Sequence, residues 1–241
     1  MKIMIDTLRG TLETESESLV LASPAAFLRL SEVWLRVGLE LGHWTAFSWM
    51  GRQIVQLPDD VLRLAEVVWS VGPDVIVECG VYEGGLSLLL ALQCRVRGRG
   101  RVIGVEITVR PGVREALEEA GVELVEGDSA SQETARRVKT LIEPGSRVLV
   151  ILDSDHTRRH VLAELGHYAP LVCEGSYVIV ADTILAGDDT PSAAVAEFLR
   201  RNPEFEIAAP KPVFHAETWF GHLSYFEHGW LRRRHPKVAP H

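Results

Sequence analysis

Five acidic residues each follow a short run of Val, Ile and Leu, and these runs recur at intervals along the chain. The acids are Glu78, Glu106, Asp128, Asp153 and Asp182. Apolar runs without polar alternation are typical of strands that are buried on both faces of a parallel sheet. Because open parallel sheets bind ligands beyond the carboxyl ends of their strands, we expect the five carboxylates to lie along one ligand-binding edge.

The segment Asp153-Ser154-Asp155-His156 has the residue types of an acid–base centre. An aspartate three residues before a histidine places a carboxylate and an imidazole on the same rim of the predicted sheet. His156 is therefore a candidate general base, with Asp153 as its catalytic partner. Hard divalent cations prefer carboxylate oxygens, so Asp153 and Asp182 are candidate metal ligands and Asp155 is a third candidate. The alternative for Asp153 or Asp155 is that its side chain caps the next helix.

A glycine-rich turn follows the first of the apolar runs. It reads Glu78-x-Gly80-x-x-x-Gly84-Gly85, with Tyr82 at its centre. Glycine lets the backbone approach a ligand closely and tolerates a positive φ. A dinucleotide-binding turn would have the spacing Gly-x-Gly-x-x-Gly, so the spacing here opposes a nicotinamide-dependent oxidoreductase. The turn resembles the acidic-x-Gly-x-x-x-Gly pattern of class I S-adenosylmethionine-dependent methyltransferases.

This resemblance implies that the turn binds S-adenosyl-L-methionine (SAM). Glu78 would face the methionine end of the cofactor. Asp153, at the adjacent strand end, would line the cofactor, as would four residues of the turn, namely Gly80, Tyr82, Gly84 and Gly85.

The next two strand ends carry residues suited to the rest of the cofactor. Glu106 has the position and chemistry to accept hydrogen bonds from two ribose hydroxyls. Asp128 and Ser129, after the third strand, would reach the adenine. The alternatives are an exposed strand-end acid for Glu106, a plain loop acid for Asp128 and a helix N-cap for Ser129.

An alternation of strands and helices must position these side chains. Val- and Ile-rich runs predict strands at 74–78, 101–106, 122–126, 147–153 and 176–182. Helical patterns lie between and after these runs, near 84–95, 112–120, 131–142, 157–169 and 191–201. This alternation predicts an α/β fold with a doubly wound, Rossmann-like, mostly parallel sheet of the class I methyltransferase type.

The residues before this repeating part form a separate segment. Apolar spacing from Pro24 to Leu41 predicts an amphipathic helix, and a second helix is expected to begin at Asp59. The polar residues before the first helix fit either an ordered arm or a loose tail. We expect an N-terminal helical extension over 1–60 and a methyltransferase domain over 61–241.

Composition and charge exclude several classes of partner. The chain has 241 residues and a formal net charge of -8, which opposes binding to nucleic acid or to an anionic membrane, since both require Lys and Arg. No apolar run reaches the roughly 18 residues that a membrane span requires. The three cysteines form no Cys-x-x-Cys pair and are expected to be reduced thiols, which predicts a cytoplasmic protein.

Several further motifs occur in a fixed order along the chain. They are Trp49-x-Gly51, Gln56-x-Pro58-x-Asp60, Pro73-Asp74-x-Ile76-x-Glu78-x-Gly80, Glu126-Gly127-Asp128-Ser129, Leu152-Asp153-Ser154-Asp155-His156, Tyr168-Ala169-Pro170-Leu171-Val172, Gly175-Ser176-Tyr177 and Asp182-Thr183. From about Trp49 to Arg232, the chain resembles the cephalosporin hydroxylase/rhamnosyl O-methyltransferase family.

This resemblance implies an O-methyltransferase whose acceptor is a hydroxyl of a small molecule, either a sugar or a natural product. It implies a role in antibiotic biosynthesis or sugar tailoring, and assembly as a homo-oligomer. In related metal-dependent enzymes, the Asp-x-x-His motif and an adjacent Glu-Asp pair supply three Mg2+ ligands and the base. Asp153, His156 and Asp182 match these positions, whereas Ala181 stands where the Glu is expected. Either Asp155 or the substrate supplies the missing oxygen, or His156 works without metal, or the protein is a non-catalytic cofactor-binding member.

Aromatic residues near both ends of the chain could cover the acceptor pocket, although aromatic side chains more often belong to a core or an interface. They are Trp44, Phe47, Trp49, Trp219, Phe220 and Tyr225.

Overall fold

The computed structural model describes residues 2–210 and 223–235 of the chain. The N-terminal part contains three short antiparallel strands, a long helix and a small hairpin. These elements are β1 (Met4–Asp6), β2 (Thr11–Glu13), β3 (Ser18–Val20), α1 (Pro24–Leu41), a short 3-10 helix (His43–Ala46), β4 (Ser48–Trp49) and β5 (Arg52–Gln53).

Helix α1 begins and ends at the residues that its sequence indicates. Ser23 Oγ accepts a hydrogen bond from the backbone N–H of Ala26 at 3.2 Å, and Pro24 occupies the first helical position. Gly42 ends the helix with a φ of 66°, a left-handed conformation that glycine adopts easily. The predicted amphipathic helix is confirmed.

The rest of the described chain alternates strands and helices. The strands are β6 (Val75–Cys79), β7 (Arg101–Glu106), β8 (Glu123–Glu126), β9 (Val148–Leu152), β10 (Tyr177–Val180), β11 (Phe205–Ile207) and β12 (Trp230–Arg233). The helices are α2 (Pro58–Val71), α3 (Gly85–Arg97), α4 (Pro111–Glu119), α5 (Gln132–Thr140), α6 (Arg158–Tyr168) and α7 (Pro191–Arg201).

The seven strands form one sheet in the order β11-β12-β10-β9-β6-β7-β8. Strands β6 to β10 pair in parallel, and β12 pairs antiparallel with both β10 and β11. The chain leaves β6 towards β7 and β8, and later fills the other side with β9 and β10. The strand order therefore reverses between β6 and β9, which is the point where such sheets bind ligands.

Two apolar clusters cover the two faces of this sheet. One contains buried residues of α2, α3 and α4, and the other contains buried residues of α5, α6 and α7. All five residues of β6 are buried, as are all five of β9. The predicted doubly wound, mostly parallel α/β fold is confirmed.

Two regions differ from the expectation. The N-terminal extension is not entirely helical, because a three-stranded sheet precedes α1. Strands β11 and β12 were not predicted from the sequence. Each is short, and β12 carries Arg232 and Arg233, so neither shows the continuous apolar run of the central strands.

None of the helices within residues 2–210 and 223–235 is both long enough and apolar enough to cross a membrane.

Candidate active site

A cavity of about 410 Å³ lies where β6 and β9 end. Cys79, the last residue of β6, lies opposite Leu152, the last residue of β9, so the loops after these strands start side by side. The cavity brings together six of the predicted site residues, namely Glu78, Gly80, Tyr82, Asp153, His156 and Asp182. The N-terminal part adds apolar lining through Leu39, Trp44 and Ile54.

The glycines of the turn after β6 permit close contacts with the protein's own backbone. Gly80 has a φ of 93°, and a Cβ atom there would lie 1.9 Å from the backbone oxygen of Asp153. A Cβ on Gly85 would lie 2.4 Å from the backbone oxygen of Gln53. Gly84 also has a positive φ, 82°, and precedes α3 as its N-cap. The turn is thus fixed between the β9 loop and the N-terminal hairpin.

Glu78 is a buried carboxylate at the base of the cavity. It accepts a hydrogen bond from Ser87 Oγ, and burial raises its pKa to about 8, with a smaller contribution from the charges of Asp153 and Glu106. An ammonium group beside it would favour its charged form and lower this pKa again.

Glu106 stabilises the glycine turn. Its Oε2 accepts hydrogen bonds from the backbone N–H groups of Val81 (3.0 Å) and Tyr82 (2.8 Å), and its Oε1 accepts one from Ile107 (2.9 Å). The alternative of a simple exposed strand-end acid is therefore wrong. A carboxylate has about four acceptor positions, so these bonds leave capacity for a ligand hydroxyl.

Asp128 and Ser129 lie further along the same edge, outside the lining of the cavity. Asp128 is exposed and accepts a hydrogen bond from the backbone N–H of Ala130 at 2.9 Å. Ser129 is buried, and it is not the N-cap of α5, because Ser131 Oγ accepts the capping bond from Thr134. The N-cap alternative for Ser129 is wrong.

Asp153, His156 and Asp182 form an acid–histidine centre, in which one ligand atom from each lies within 4.8 Å of the others. His156 Nε2 is 3.0 Å from Asp182 Oδ2 and 3.6 Å from Asp153 Oδ1. Hydrogen bonds to Asp153 and Asp182 raise the pKa of His156 to about 10. Burial raises the pKa of Asp153 above its usual range.

The third candidate ligand, Asp155, is not part of this centre. Its Oδ1 accepts hydrogen bonds from both the backbone N–H (2.8 Å) and the side-chain hydroxyl (2.6 Å) of Thr157, immediately before α6. Ala181 is 1% exposed and packs in the apolar core, so it supplies no oxygen. Asp155 therefore lies outside the centre, and its bonds form a turn directly before α6, whose N-cap is Thr157.

The donor set fits a divalent cation that keeps part of its water shell. The carboxylates of Asp153 and Asp182 converge beside His156 in the described residues, and Mg2+ in proteins commonly retains several waters alongside one or two carboxylates.

Sequence reasoning assigned no role to Gln56, although it belongs to one of the ordered motifs. Its side-chain amide donates a hydrogen bond to Asp153 Oδ2 at 2.6 Å, and its side chain is buried. The contact links the segment before α2 to the acid–histidine centre. Of the aromatic candidates, Trp44 and Tyr225 line the cavity, while Trp219 and Phe220 lie outside the described residues.

A second polar group, the rear cluster of Ser129, Ser154, His160 and Glu164, was not predicted. His160 Nε2 is 3.1 Å from the hydroxyls of both Ser129 and Ser154. Ser154 Oγ donates to Glu164 Oε1 at 2.7 Å, and Glu164 is fully buried. The hydrogen bond to Glu164 raises the pKa of His160. This cluster ties the loop after β8 to the loop after β9.

Comparisons with known proteins point to one family. The model of the family Rhamnosyl O-methyltransferase/CmcI matches residues 41–234. The rhamnosyl O-methyltransferase of Mycobacterium leprae is 28% identical over 181 residues, which cover 70% of this chain and 78% of that protein. The rhamnosyl O-methyltransferase of Mycobacterium tuberculosis H37Rv is 30% identical over 147 residues, and the match covers 60% of each chain.

Among solved structures, the Mg–SAM form of CmcI superposes with a TM-score of 0.57 at 21% identity. The superposition covers 78% of this chain and 77% of CmcI. At this identity the likeness shows a shared fold.

Proposed function

Since the chain belongs to the Rhamnosyl O-methyltransferase/CmcI family, we propose that it transfers the methyl group of SAM to a hydroxyl of a sugar or other small natural product. The observation that carries this proposal is that the glycine turn and the acid–histidine centre line one cavity. A methyl donor bound at the turn and an acceptor bound at the centre would meet there.

Glu78 and the turn residues bind the methionine end of SAM in this proposal, and Glu106 binds the ribose. Asp128 and Ser129 reach the adenine, consistent with their place beyond the cavity on the same edge. The cofactor carries a cationic sulfonium and an ammonium group, and the cavity is lined by Glu78, Asp153 and Asp182, which favour cations electrostatically.

His156 is the proposed base. Its Nε2 takes the acceptor proton, an oxygen lone pair forms the new bond to the methyl carbon, and the carbon–sulfur bond breaks to release S-adenosylhomocysteine. Asp153 and Asp182 hold a proton on this imidazole, so His156 becomes a base only when their negative charge is otherwise balanced. The same two carboxylates would hold Mg2+, which when bound stabilises negative charge on the acceptor oxygen.

We retain three further expectations as parts of the proposal. Residues 1–60 form an extension that supplies one wall of the cavity, and 61–241 form the methyltransferase domain. The protein assembles as a homo-oligomer, which light scattering would test. It acts in the cytoplasm.

Calorimetry with SAM and S-adenosylhomocysteine tests the cofactor part. We expect saturable binding of both and no binding of reduced nicotinamide cofactor, whereas the opposite result would favour an oxidoreductase. Isotope-labelled SAM with methyl α-L-rhamnopyranoside, analysed by mass spectrometry, tests the transfer. Binding of SAM without transfer to this or any other hydroxylated acceptor would support a non-catalytic protein. Loss of transfer on chelation, restored by added Mg2+, would support the metal part.

A further inference from the structure

Tyr225 has a buried hydroxyl that faces no protein partner. The residue is 2% exposed, lines the same cavity as His156 and Asp182, and its hydroxyl has no hydrogen-bond partner among the described residues. A buried hydroxyl without a partner costs free energy, and such groups are rare in folded proteins. A ligand in the cavity would supply the missing partner.

The backbone of Tyr225 is fixed beside the acid–histidine centre. Its N–H donates to Asp60 Oδ2 at 2.7 Å. Its carbonyl oxygen accepts hydrogen bonds from the N–H of Ile184 (3.2 Å) and the hydroxyl of Thr183 (3.4 Å), which directly follow Asp182 in the chain. The position of the ring is therefore determined by the same loop that carries Asp182.

A buried carboxylate contributes to this placement. Asp60 is fully buried, burial raises its pKa to about 7, and it also accepts a hydrogen bond from Ser224 Oγ. Burying an acid is unfavourable unless hydrogen bonds stabilise it. The fold thus uses a costly group to hold the segment that carries Tyr225.

The phenol is suited to donate a hydrogen bond. Burial, and then the negative charges of Asp182 and Asp60, raise the pKa of Tyr225, so the hydroxyl keeps its proton. The backbone of α1 packs near this hydroxyl at Gly38, where an added Cβ would be in van der Waals contact with the hydroxyl oxygen at 3.9 Å. Leu39, the next residue of α1, lines the cavity.

We propose that the Tyr225 hydroxyl donates a hydrogen bond to an acceptor oxygen close to the hydroxyl that is methylated, and so selects acceptors with two neighbouring oxygens. This inference rests on the proposed function. Sugars carry hydroxyls on adjacent carbons, so one oxygen can meet His156 while the next meets Tyr225. A site that hydrogen-bonds a substrate hydroxyl discriminates strongly against the analogue that lacks it.

Tyr168 provides a matched control. It is fully buried like Tyr225 and its hydroxyl likewise has no hydrogen-bond partner among the described residues, but it lies in the other apolar cluster and does not line the cavity. The substitutions Tyr225→Phe and Tyr168→Phe each remove one buried hydroxyl and keep the ring. Only the first should change how the acceptor binds.

The test measures transfer to methyl α-L-rhamnopyranoside and to its monodeoxy analogues by wild type and both variants. We expect Tyr225→Phe to raise the KM for the glycoside about tenfold, with the Kd for SAM within about twofold and no decrease in Tm. One monodeoxy analogue should lower kcat/KM for wild type and for Tyr168→Phe, but not for Tyr225→Phe, because that variant has already lost the same hydrogen bond.

An unchanged KM in Tyr225→Phe would overturn the inference, as would an equal loss in Tyr168→Phe or a parallel loss of SAM affinity. If wild type methylates no glycoside, the proposed sugar acceptor fails and this assignment fails with it. The two failures can be told apart, since wild type is inactive on glycosides only if the proposed sugar acceptor is wrong.

Discussion

The loop and helix after β9 carry two histidines that lie four residues apart in very different surroundings. His156 is 43% exposed at its side chain and stands between two aspartates at the cavity. His160 is part of the rear cluster, where two serine hydroxyls and the buried Glu164 surround it. Each histidine has a carboxylate nearby and a raised pKa.

The difference lies in what each histidine can still bind. The acid–histidine centre opens to a cavity, so its groups can exchange a proton or a cation with a ligand. The polar groups of the rear cluster mostly bind one another, and its glutamate is sealed from solvent. A raised pKa therefore does not identify a reactive histidine by itself, and access to a ligand must accompany it.

The largest expected difference between the two histidines is in their effect on kcat. We expect His156→Ala to lower kcat by about 10²- to 10⁴-fold, the usual contribution of a general base. His160→Ala should keep kcat within a few fold, because His160 does not line the cavity. Transfer assays at saturating SAM measure both. Equal losses in the two variants would contradict the division of roles.

The second effect is on the pH dependence of stability. The folded pKa of His156, about 10, lies above the ordinary histidine value of 6.5, so its stabilising contribution is complete below pH 6.5 and is lost as pH rises to about 10. Urea unfolding of the metal-free protein from pH 6 to 10 should show this loss in wild type but not in His156→Gln. The difference between the two curves reports His156 together with Asp153, whose pKa His156 lowers, since Asp60 and Glu78 titrate in both proteins.

That prediction would be contradicted by parallel curves for wild type and His156→Gln. His160→Gln is a useful comparison, because a similar difference there would show that the two histidines are equally coupled to folding.

The third effect concerns the rear cluster. Glu164→Ala removes a buried acceptor from Ser154 and leaves a cavity, so we expect the free energy of unfolding to fall by about 1–3 kcal/mol. SAM affinity should fall more than kcat, because Ser129 belongs to the proposed adenine region. Unchanged stability would mean that the cluster does not fix the two loops.

The smallest effect is expected at Asp155. Asp155→Ala removes the hydrogen bonds to Thr157 and should cost about 1 kcal/mol of stability, the usual net contribution of a hydrogen bond. Metal affinity, measured by calorimetry, should not change. A large loss of metal affinity would return Asp155 to the ligand set.

The sequence predicts the central fold well because β9 is an uninterrupted apolar run and β6 begins with one. Apolar runs of this length are typical of strands in the middle of a sheet that is covered on both faces, and the acids lie where these strands end. The same reasoning predicts Glu78, Asp153, His156 and Asp182 at one edge of the sheet, and all four line one cavity there.

Other features depend on contacts between distant parts of the chain. Gln56 reaches Asp153 across 97 residues, and Asp60 reaches Tyr225 across 165. No local pattern of hydrophobicity reports such pairings, and the short strands of the N-terminal sheet depend on each other rather than on a periodic apolar face. Asp155 was a candidate ligand because local hydrogen bonding and metal ligation use the same residue type.

The contact between Gly80 and the backbone of Asp153 has a consequence for how such an enzyme can diversify. There is no room for even a methyl group at this contact. A side chain at position 80 would therefore push the glycine turn, which is proposed to bind the donor, away from the loop that carries Asp153. Selection for new acceptors must therefore act elsewhere. The cavity walls formed by the N-terminal segment and by Tyr225 can change while the contact between Gly80 and Asp153 is kept. New acceptor specificities can therefore arise without altering that contact.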